Sequence, residues 1–110
     1  SEHAYHIVKH LPVMAASANA MVHDAIEAFI NQDLDSAMEI IERDDEVDTL
    51  FNQVKDDVIH LLKSSPDQAD QGIDLLMVAK YLERIGDHAV NVCEWTQFSK
   101  TGALKNVRIM

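Results

Sequence analysis

Two short breaks divide the sequence into three long runs in which apolar residues recur at three- and four-residue spacing. This spacing places apolar side chains on one face of a helix, and it predicts helices over roughly 12–30, 34–63 and 66–98. Helices that are joined by tight turns pack antiparallel to their neighbours. The predicted fold class is therefore all-α, an antiparallel up-down-up three-helix bundle.

The two breaks contain residue types that begin helices. Asp33, at the end of the first break, is expected to cap the N-terminus of the second helix. In the second break, Ser65 as N-cap, Pro66 at the first helical position and Gln68 three residues after the cap match a capping box. These residues place the start of the third helix at Pro66.

The two ends of the chain are less regular. Pro12 opens a helix well but kinks a helix that starts earlier, so residues 1–11 fit either a short lead-in helix or a loop. Gly102 ends the third run, and residues 103–110 follow as a tail without clear periodicity. A chain of 110 residues is large enough for one core and too small for two, so residues 1–110 are expected to form a single domain.

The chain is strongly acidic, with 19 Asp and Glu against 9 Lys and Arg and a formal net charge of −10. Such a charge repels phosphate backbones and anionic lipids, so we expect neither a nucleic acid partner nor a membrane-surface role. No apolar run reaches the roughly 18 residues that span a bilayer, and the first residues lack a signal-peptide pattern. Because the single cysteine, Cys93, also fits a reducing compartment, we expect a cytoplasmic protein without membrane insertion.

Most acidic residues of the first two runs fit solvent-facing positions, but Asp44 does not. At 100° per residue it lies within about 60° of the apolar seam formed by Ile40, Val47 and Phe51. A carboxylate at a seam costs several kcal/mol unless it is paired or binds a cation. Asp48 follows one turn later. The residues expected to face solvent are Asp35, Glu39, Glu42, Asp45, Glu46, Asp56 and Asp67.

The third run carries a stripe of oxygen-bearing side chains that spans only about 80° of the helix surface. Like charges one turn apart weaken an isolated helix by a few tenths of a kcal/mol, so the stripe favours a cation or a basic partner nearby. The stripe consists of Glu83, Asp87, Asn91 and Glu94.

Helix register brings these two acidic groups to the same height. If the second and third helices reverse near residue 65, residues whose numbers add to about 130 lie level. Asp44 then lies beside Asp87, and Asp48 lies beside Glu83. Four carboxylates in one place raise each other's pKa or bind a multivalent cation. Ligation by oxygen alone suits Mg²⁺, Ca²⁺, Mn²⁺ or iron better than zinc or copper(I).

The stripe points away from the apolar centre of its helix, so the site is expected on the outer flank of the bundle. Small residues between the stripe and the core let the two helices approach closely. Spacing alone leaves two interpretations open, a metal site and a solvated acidic face or patch for a basic partner. The small residues are Ala79, Gly86, Val90 and Cys93.

Residues 82–95, LERIGDHAVNVCEW, resemble the signature of the PhoU family of phosphate-uptake regulators, whose last helix in each repeat carries an L-E-R-I-G-D-x-A-x-N-I-x-E pattern. Upstream, residues 41–48, IERDDEVD, are similar to the family's segment on the preceding helix. The resemblance covers roughly residues 11–102. The family's paired E/D-x-x-x-D motifs then correspond here to Asp44-x-x-x-Asp48 and Glu83-x-x-x-Asp87.

The resemblance implies a metal site and a regulatory role. In the family these motifs are associated with multinuclear iron and other divalent-metal clusters, so the expected cofactor is Fe, Mn, Mg or Zn. The expected ligands are Asp44, Asp48, Glu83 and Asp87, with Asn91 and Glu94 as extra ligands. The implied function is non-catalytic, an adaptor that links the phosphate importer to a membrane sensor kinase and dampens uptake.

Family members usually contain two such bundles in tandem, whereas this chain holds one, which looks like the second repeat. We therefore expect a second PhoU-like repeat or a homo-oligomer, with Trp95 and Phe98 as residues that such a partner covers. The alternative is a metal-free helical interaction module whose acidic face binds a basic partner.

Two further types of metal site have partial matches in the sequence. A di-iron oxidase needs Glu-x-x-His on two helices, and the nearest match here is Asp57-x-x-His60. His3, His6 and His10 share one face if residues 1–11 are helical, and imidazoles at that spacing can bind a metal. We expect these histidines, near the end of the chain, to be exposed or disordered.

Overall fold

The computed structural model describes residues 2–101. Three α-helices, α1 (Glu2–Asn31), α2 (Leu34–Ser64) and α3 (Ala69–Thr101), each run antiparallel to the next helix along the chain, with a 3₁₀ turn at Pro66–Gln68 before α3. All three pairs of helices pack against each other, and the molecule is 53 Å long. The described residues contain no strand. The predicted all-α three-helix bundle is confirmed.

The start of α1 differs from the sequence-based prediction, since the helix begins at Glu2 and Pro12 lies inside it. Proline inside a helix costs about 3 kcal/mol, because it removes one hydrogen bond and crowds the preceding turn. Ile7 is fully buried in the core, and Ala4 and Leu11 pack against that core. Burial of a side chain such as Ile7 contributes about 1.5–3 kcal/mol, so the apolar contacts of these turns offset the proline.

The first break is closed by hydrogen bonds on both sides. Gln32 has a φ of 54°, and the amides of Gln32 and Asp33 donate to the carbonyl oxygens of Phe29 and Ala28, which ends α1 in a Schellman motif. Asp33 then caps α2, because its carboxylate accepts from the Ser36 amide at 3.1 Å and the Ser36 hydroxyl at 2.8 Å. These bonds lower the pKa of Asp33. The predicted cap at Asp33 is confirmed.

The capping box predicted at Ser65 does not form, because the Ser65 side chain makes no capping hydrogen bond. Backbone groups form the hydrogen bonds at this connection instead. The Ser65 amide donates to the Leu61 carbonyl at 2.8 Å, and the Gln68 amide donates to the Ser65 carbonyl at 2.9 Å. The 3₁₀ turn therefore precedes α3, which begins at Ala69 and reaches Thr101, the last described residue. Gly102 and the tail 103–110 lie outside the described residues.

The core is built from medium-sized apolar side chains of α1 and α2 against small residues of α3. Met14 and Met21 are fully buried, as is Val47. On α3, Ala79 and Cys93 are fully buried as well, so that helix packs closely against the other two. Within the described residues, no helix combines the length and apolar character needed to cross a membrane.

Candidate metal centre

Three aspartates from two helices converge on the flank of the bundle. One carboxylate oxygen each from Asp44, Asp48 and Asp87 lies within 4.8 Å of the other two, and all three residues are half-buried. α2 supplies Asp44 and Asp48 on successive turns, and α3 supplies Asp87 at the same height. The structure thus brings together three of the four carboxylates that the antiparallel register places level.

Glu83 adjoins this group but already has a cationic neighbour. The Lys80 ammonium donates to Glu83 Oε1 at 2.6 Å, and the same ammonium lies 5.2 Å from the centre of the Phe51 ring. The Glu83 side chain is only 14% exposed. The fourth carboxylate therefore faces the aspartates with a lysine on its outer side.

The electrostatics of Asp48 reflect this crowding. Burial is the largest cause of a raised pKa for Asp48, and repulsion and a hydrogen bond from Glu83 come next. Asp87 raises the pKa further by repulsion. Without a cation, the Asp48 carboxylate therefore holds a proton more tightly than an isolated aspartate does.

Asn91 and Glu94 lie further along α3, and Glu94 is not part of the converging group formed by Asp44, Asp48 and Asp87. Asn91 is 5% exposed, and its Oδ1 atom is buried without a hydrogen-bond partner among the described residues. Glu94 is half-buried, with a buried Oε1 atom. The oxygen stripe of α3 therefore continues inward from the acidic cluster.

Cys93, next to Glu94, is fully buried in the core. Burial, followed by the Glu94 carboxylate, raises the pKa of the Cys93 thiol to about 11. A thiol with such a pKa is protonated at neutral pH and is a poor nucleophile.

The seven acidic residues expected to face solvent are all exposed, as the helical pattern predicts. They are Asp35, Glu39, Glu42, Asp45, Glu46, Asp56 and Asp67. Exposure therefore separates them from Asp44, Asp48, Glu83 and Asp87, each of which is half-buried.

A second group of potential ligands lies between α1 and α2, and sequence reasoning missed it. One ligand atom each from His3, His6 and Asp57 lies within 4.8 Å of the others. The sequence showed the shared face of the histidines but not Asp57 opposite them. The signal was available, because the antiparallel register around the first break places residues whose numbers add to about 64 at one height.

The fold and the acidic cluster define a helical bundle with converging carboxylates on its flank. The model of the PhoU domain matches residues 11–96 of the chain. The chain therefore belongs to the PhoU family.

Three relatives show the extent of the similarity, and each is described as a phosphate-specific transport system accessory protein PhoU homolog. One from Clostridium acetobutylicum is 36% identical over 101 residues, covering 92% of this chain and 46% of the relative. One from Zymomonas mobilis is 36% identical over 97 residues, covering 88% and 41%. One from Thermotoga maritima, PhoU homolog 1, is 31% identical over 104 residues, covering 94% and 44%. The chain thus spans less than half the length of these relatives. No solved structure matches it.

Proposed function

We propose that the chain is a non-catalytic regulator and adaptor of phosphate uptake that carries a metal site on the flank of its bundle. Membership of the PhoU family and the description of its relatives as accessory proteins of phosphate-specific transport support the regulatory role. The convergence of Asp44, Asp48 and Asp87 within 4.8 Å is the observation that carries the metal site. Glu83 is proposed as the fourth ligand, with Asn91 and Glu94 as extra ligands.

The donor set fits a hard or borderline cation. Metal–oxygen distances of about 2.0–2.6 Å place oxygens on opposite sides of one ion roughly 4–5 Å apart, which matches the observed separation. Carboxylate and amide oxygens suit Mg²⁺, Mn²⁺ and iron, and zinc also accepts carboxylates. We propose Fe, Mn, Mg or Zn as the cofactor, with room for more than one ion along the stripe.

The bound cation would supply charge neutralisation. Asp44 and Asp48 belong to α2 and Asp87 belongs to α3, so shared ligation would also hold these two helices at one register. On binding, Glu83 would exchange the Lys80 ammonium for the metal. The charge and the shape of this flank would then depend on metal occupancy, which is how the site would influence a partner.

The proposed partners are components of the phosphate importer and a membrane sensor kinase, which the protein would contact in the cytoplasm.

A second PhoU-like repeat or a second copy of the chain would cover an apolar patch at the end of the bundle where α1 ends. There Trp95 packs edge-to-face on Phe98 at 5.7 Å, yet the two residues are 40% and 36% exposed. Phe29 of α1 is 42% exposed and lines the same apolar patch as Trp95.

A second candidate function is a metal-free module whose acidic face binds a basic partner. The contact of the Lys80 ammonium with Glu83 favours it, since a protein cation already occupies one side of the cluster. In this case a lysine or arginine of the partner, and not a metal, would neutralise the aspartates.

Metal analysis separates the two functions. Chelator-treated protein is dialysed against Mn²⁺, Fe²⁺, Mg²⁺ or Zn²⁺ and its metal content is measured, together with that of Asp44→Asn/Asp87→Asn. A matched control, Asp56→Asn/Asp67→Asn, removes the same charge from exposed positions. With Mn²⁺, Fe²⁺ or Mg²⁺ we expect stoichiometric metal in the wild type and the control and its loss in the cluster variant, and with Zn²⁺ we expect the cluster variant to bind less metal than the wild type. Absence of Mn²⁺, Fe²⁺ and Mg²⁺ from all three proteins, with unchanged thermal stability and equal Zn²⁺ contents, would support the metal-free module.

Transport measurements test the regulatory role. Deleting the reading frame that encodes this chain from its host is expected to raise phosphate uptake in phosphate-replete medium, and restoring it should reverse the effect. Unchanged uptake after deletion would contradict the proposed role in phosphate transport.

A further inference from the structure

We propose that the chain has a second metal site, formed by His3 and His6 of α1 and Asp57 of α2, which binds Zn²⁺ and fastens the first turns of α1 to α2. This site is separate from the acidic cluster. Asp57 lies 13 residues after Asp44 on the same helix, which corresponds to about 20 Å along its axis. The second site lies between α1 and α2, whereas the acidic cluster lies between α2 and α3.

The geometry of the site centres on the Asp57 carboxylate. Its Oδ1 atom is 2.7 Å from His3 Nδ1 and 3.6 Å from His6 Nδ1. His3 and His6 are three residues apart, so that their imidazoles project from one face of α1 on adjacent turns. Two nitrogens from one helix and an oxygen from its neighbour therefore already point at a common position.

Burial makes the cluster more than a chance surface contact. Asp57 is only 8% exposed at the helix–helix interface, and its Oδ1 atom is hydrogen-bonded to His3 Nδ1. A carboxylate in such a place is stable only with hydrogen bonds or a cation nearby. The two imidazoles are about one third exposed, at 35% and 38%, so a metal ion can reach them from solvent.

Further imidazoles surround the three ligands. His60, one turn after Asp57, stacks on the His3 ring with centroids 4.6 Å apart and an interplanar angle of 13°. The His10 ring lies 6.0 Å from that of His6, and its Nδ1 atom is buried without a hydrogen-bond partner among the described residues. Both rings line the same groove as the three ligands. The groove is therefore rich in nitrogen donors.

The donor chemistry narrows the choice of metal more than it does at the acidic cluster, where oxygen ligands leave Fe, Mn, Mg and Zn open. Imidazole suits borderline ions such as Zn²⁺, whereas Mg²⁺ and Ca²⁺ prefer oxygen ligands. Zinc sites commonly use three protein ligands drawn from His and carboxylates, with water or a further side chain in the fourth position. His3, His6 and Asp57 supply such a set, and water would complete it.

The location of the site indicates what it does. Two of its ligands lie in the part of α1 that precedes Pro12, where a proline has removed one backbone hydrogen bond from the helix. The same part lies before residue 11, at which the match to the PhoU domain begins. A zinc ion shared with Asp57 would hold these first turns against α2.

Zinc titration of the chelator-treated protein tests the proposal. The background variant Asp44→Asn/Asp87→Asn removes the acidic cluster, so the outcome does not depend on the proposed function. In this background we expect one Zn²⁺ to bind, and His6→Ala or Asp57→Asn to weaken binding at least tenfold. The matched controls His23→Ala and Asp67→Asn change exposed residues and should leave binding unchanged.

Hydrogen exchange gives a second readout that a merely structural role of these side chains would not produce. Added Zn²⁺ should slow amide exchange in residues 4–11 severalfold in the background variant and not in its Asp57→Asn derivative. Three results would overturn the proposal. The background variant could fail to bind Zn²⁺, the His6→Ala and Asp57→Asn variants could bind Zn²⁺ as tightly as the background variant does, or Zn²⁺ could leave amide exchange in residues 4–11 unchanged.

Discussion

Gly86 on α3 lies so close to Asp44 on α2 that a β-carbon at position 86 would be 3.0 Å from the Asp44 Oδ1 atom. A carbon and an oxygen rarely approach this closely, so a side chain at position 86 and the carboxylate compete for the same space. The missing side chain lets α3 approach α2 where the aspartates meet. Gly86 therefore belongs to the acidic cluster although it contributes no ligand.

Replacing Gly86 with alanine should weaken the metal site. The new β-carbon must displace the Asp44 carboxylate by a few tenths of an ångström, and loss of ligand positioning typically lowers metal affinity about 10–100-fold. The helix-propensity gain of about 1 kcal/mol opposes the crowding, so the metal-free stability should change by less than about 1 kcal/mol. Calorimetric titration with Mn²⁺ and thermal unfolding measure the two effects.

Gly72→Ala is the matched control for this substitution. A β-carbon at position 72 would be 3.6 Å from the nearest atom of Leu61 and 3.7 Å from those of Leu62 and Val58, which are ordinary contacts. This variant should gain up to about 1 kcal/mol of stability and keep its metal affinity. Equal metal binding by both alanine variants would show that Gly86 does not shape the site.

Replacing Asp48 with asparagine should stabilise the metal-free protein. The pKa of Asp48 in the folded chain is above its ordinary value of 3.8, so the ionised form is less favourable in the folded state than in the unfolded state. This cost is absent below the unfolded pKa and grows as the pH rises through the folded pKa. At pH 7 we expect Asp48→Asn to add roughly 0.5–1 kcal/mol, a few degrees in Tm.

Two further measurements define this effect. The stability difference between wild type and Asp48→Asn should shrink as the pH is lowered from 7 towards 4, and Asp56→Asn, at an exposed position, should show no comparable gain. With bound Mn²⁺ the wild type should become more stable than Asp48→Asn, because metal binding stabilises the wild type more than it stabilises the variant. A variant that is less stable than the wild type without metal would contradict the like-charge account.

Cys93 should be unreactive in the folded protein. Full burial and a pKa of about 11 leave little exposed thiolate at neutral pH, so a thiol reagent should react on the timescale of unfolding. The denatured protein, as the control, should react at once with one equivalent. Rapid reaction of the native protein would show that this part of α3 opens more readily than its packing indicates. Absorbance after addition of Ellman's reagent follows both reactions.

Regular spacing predicts most of this fold, because apolar residues at helical intervals and two short breaks leave few alternatives to an antiparallel bundle. The start of α1 could not be predicted in the same way. Local rules place Pro12 at a helix start, whereas burial of Ile7 in the core favours a helix that begins at Glu2. At Ser65, a backbone hydrogen bond replaces the expected side-chain cap.

The two side-chain clusters differ in how far the sequence predicts them. Asp44 and Asp87 lie on helices that are joined at the second break, which is evident from the sequence, so helix rise alone places the two residues level. Asp57 meets His3 only because residues before Pro12 are helical, and that depended on tertiary packing. Contacts such as that of Lys80 with Glu83 depend on side-chain conformations that residue spacing does not specify.

A crystal structure of the Mn²⁺-soaked protein, with the ion located by anomalous scattering, shows whether the acidic cluster binds a metal. We expect an anomalous peak between α2 and α3, about 2.0–2.6 Å from oxygens of Asp44, Asp48 and Asp87. Well-occupied Mn²⁺ elsewhere on the molecule, with these three carboxylates free of metal, would contradict the proposed metal site.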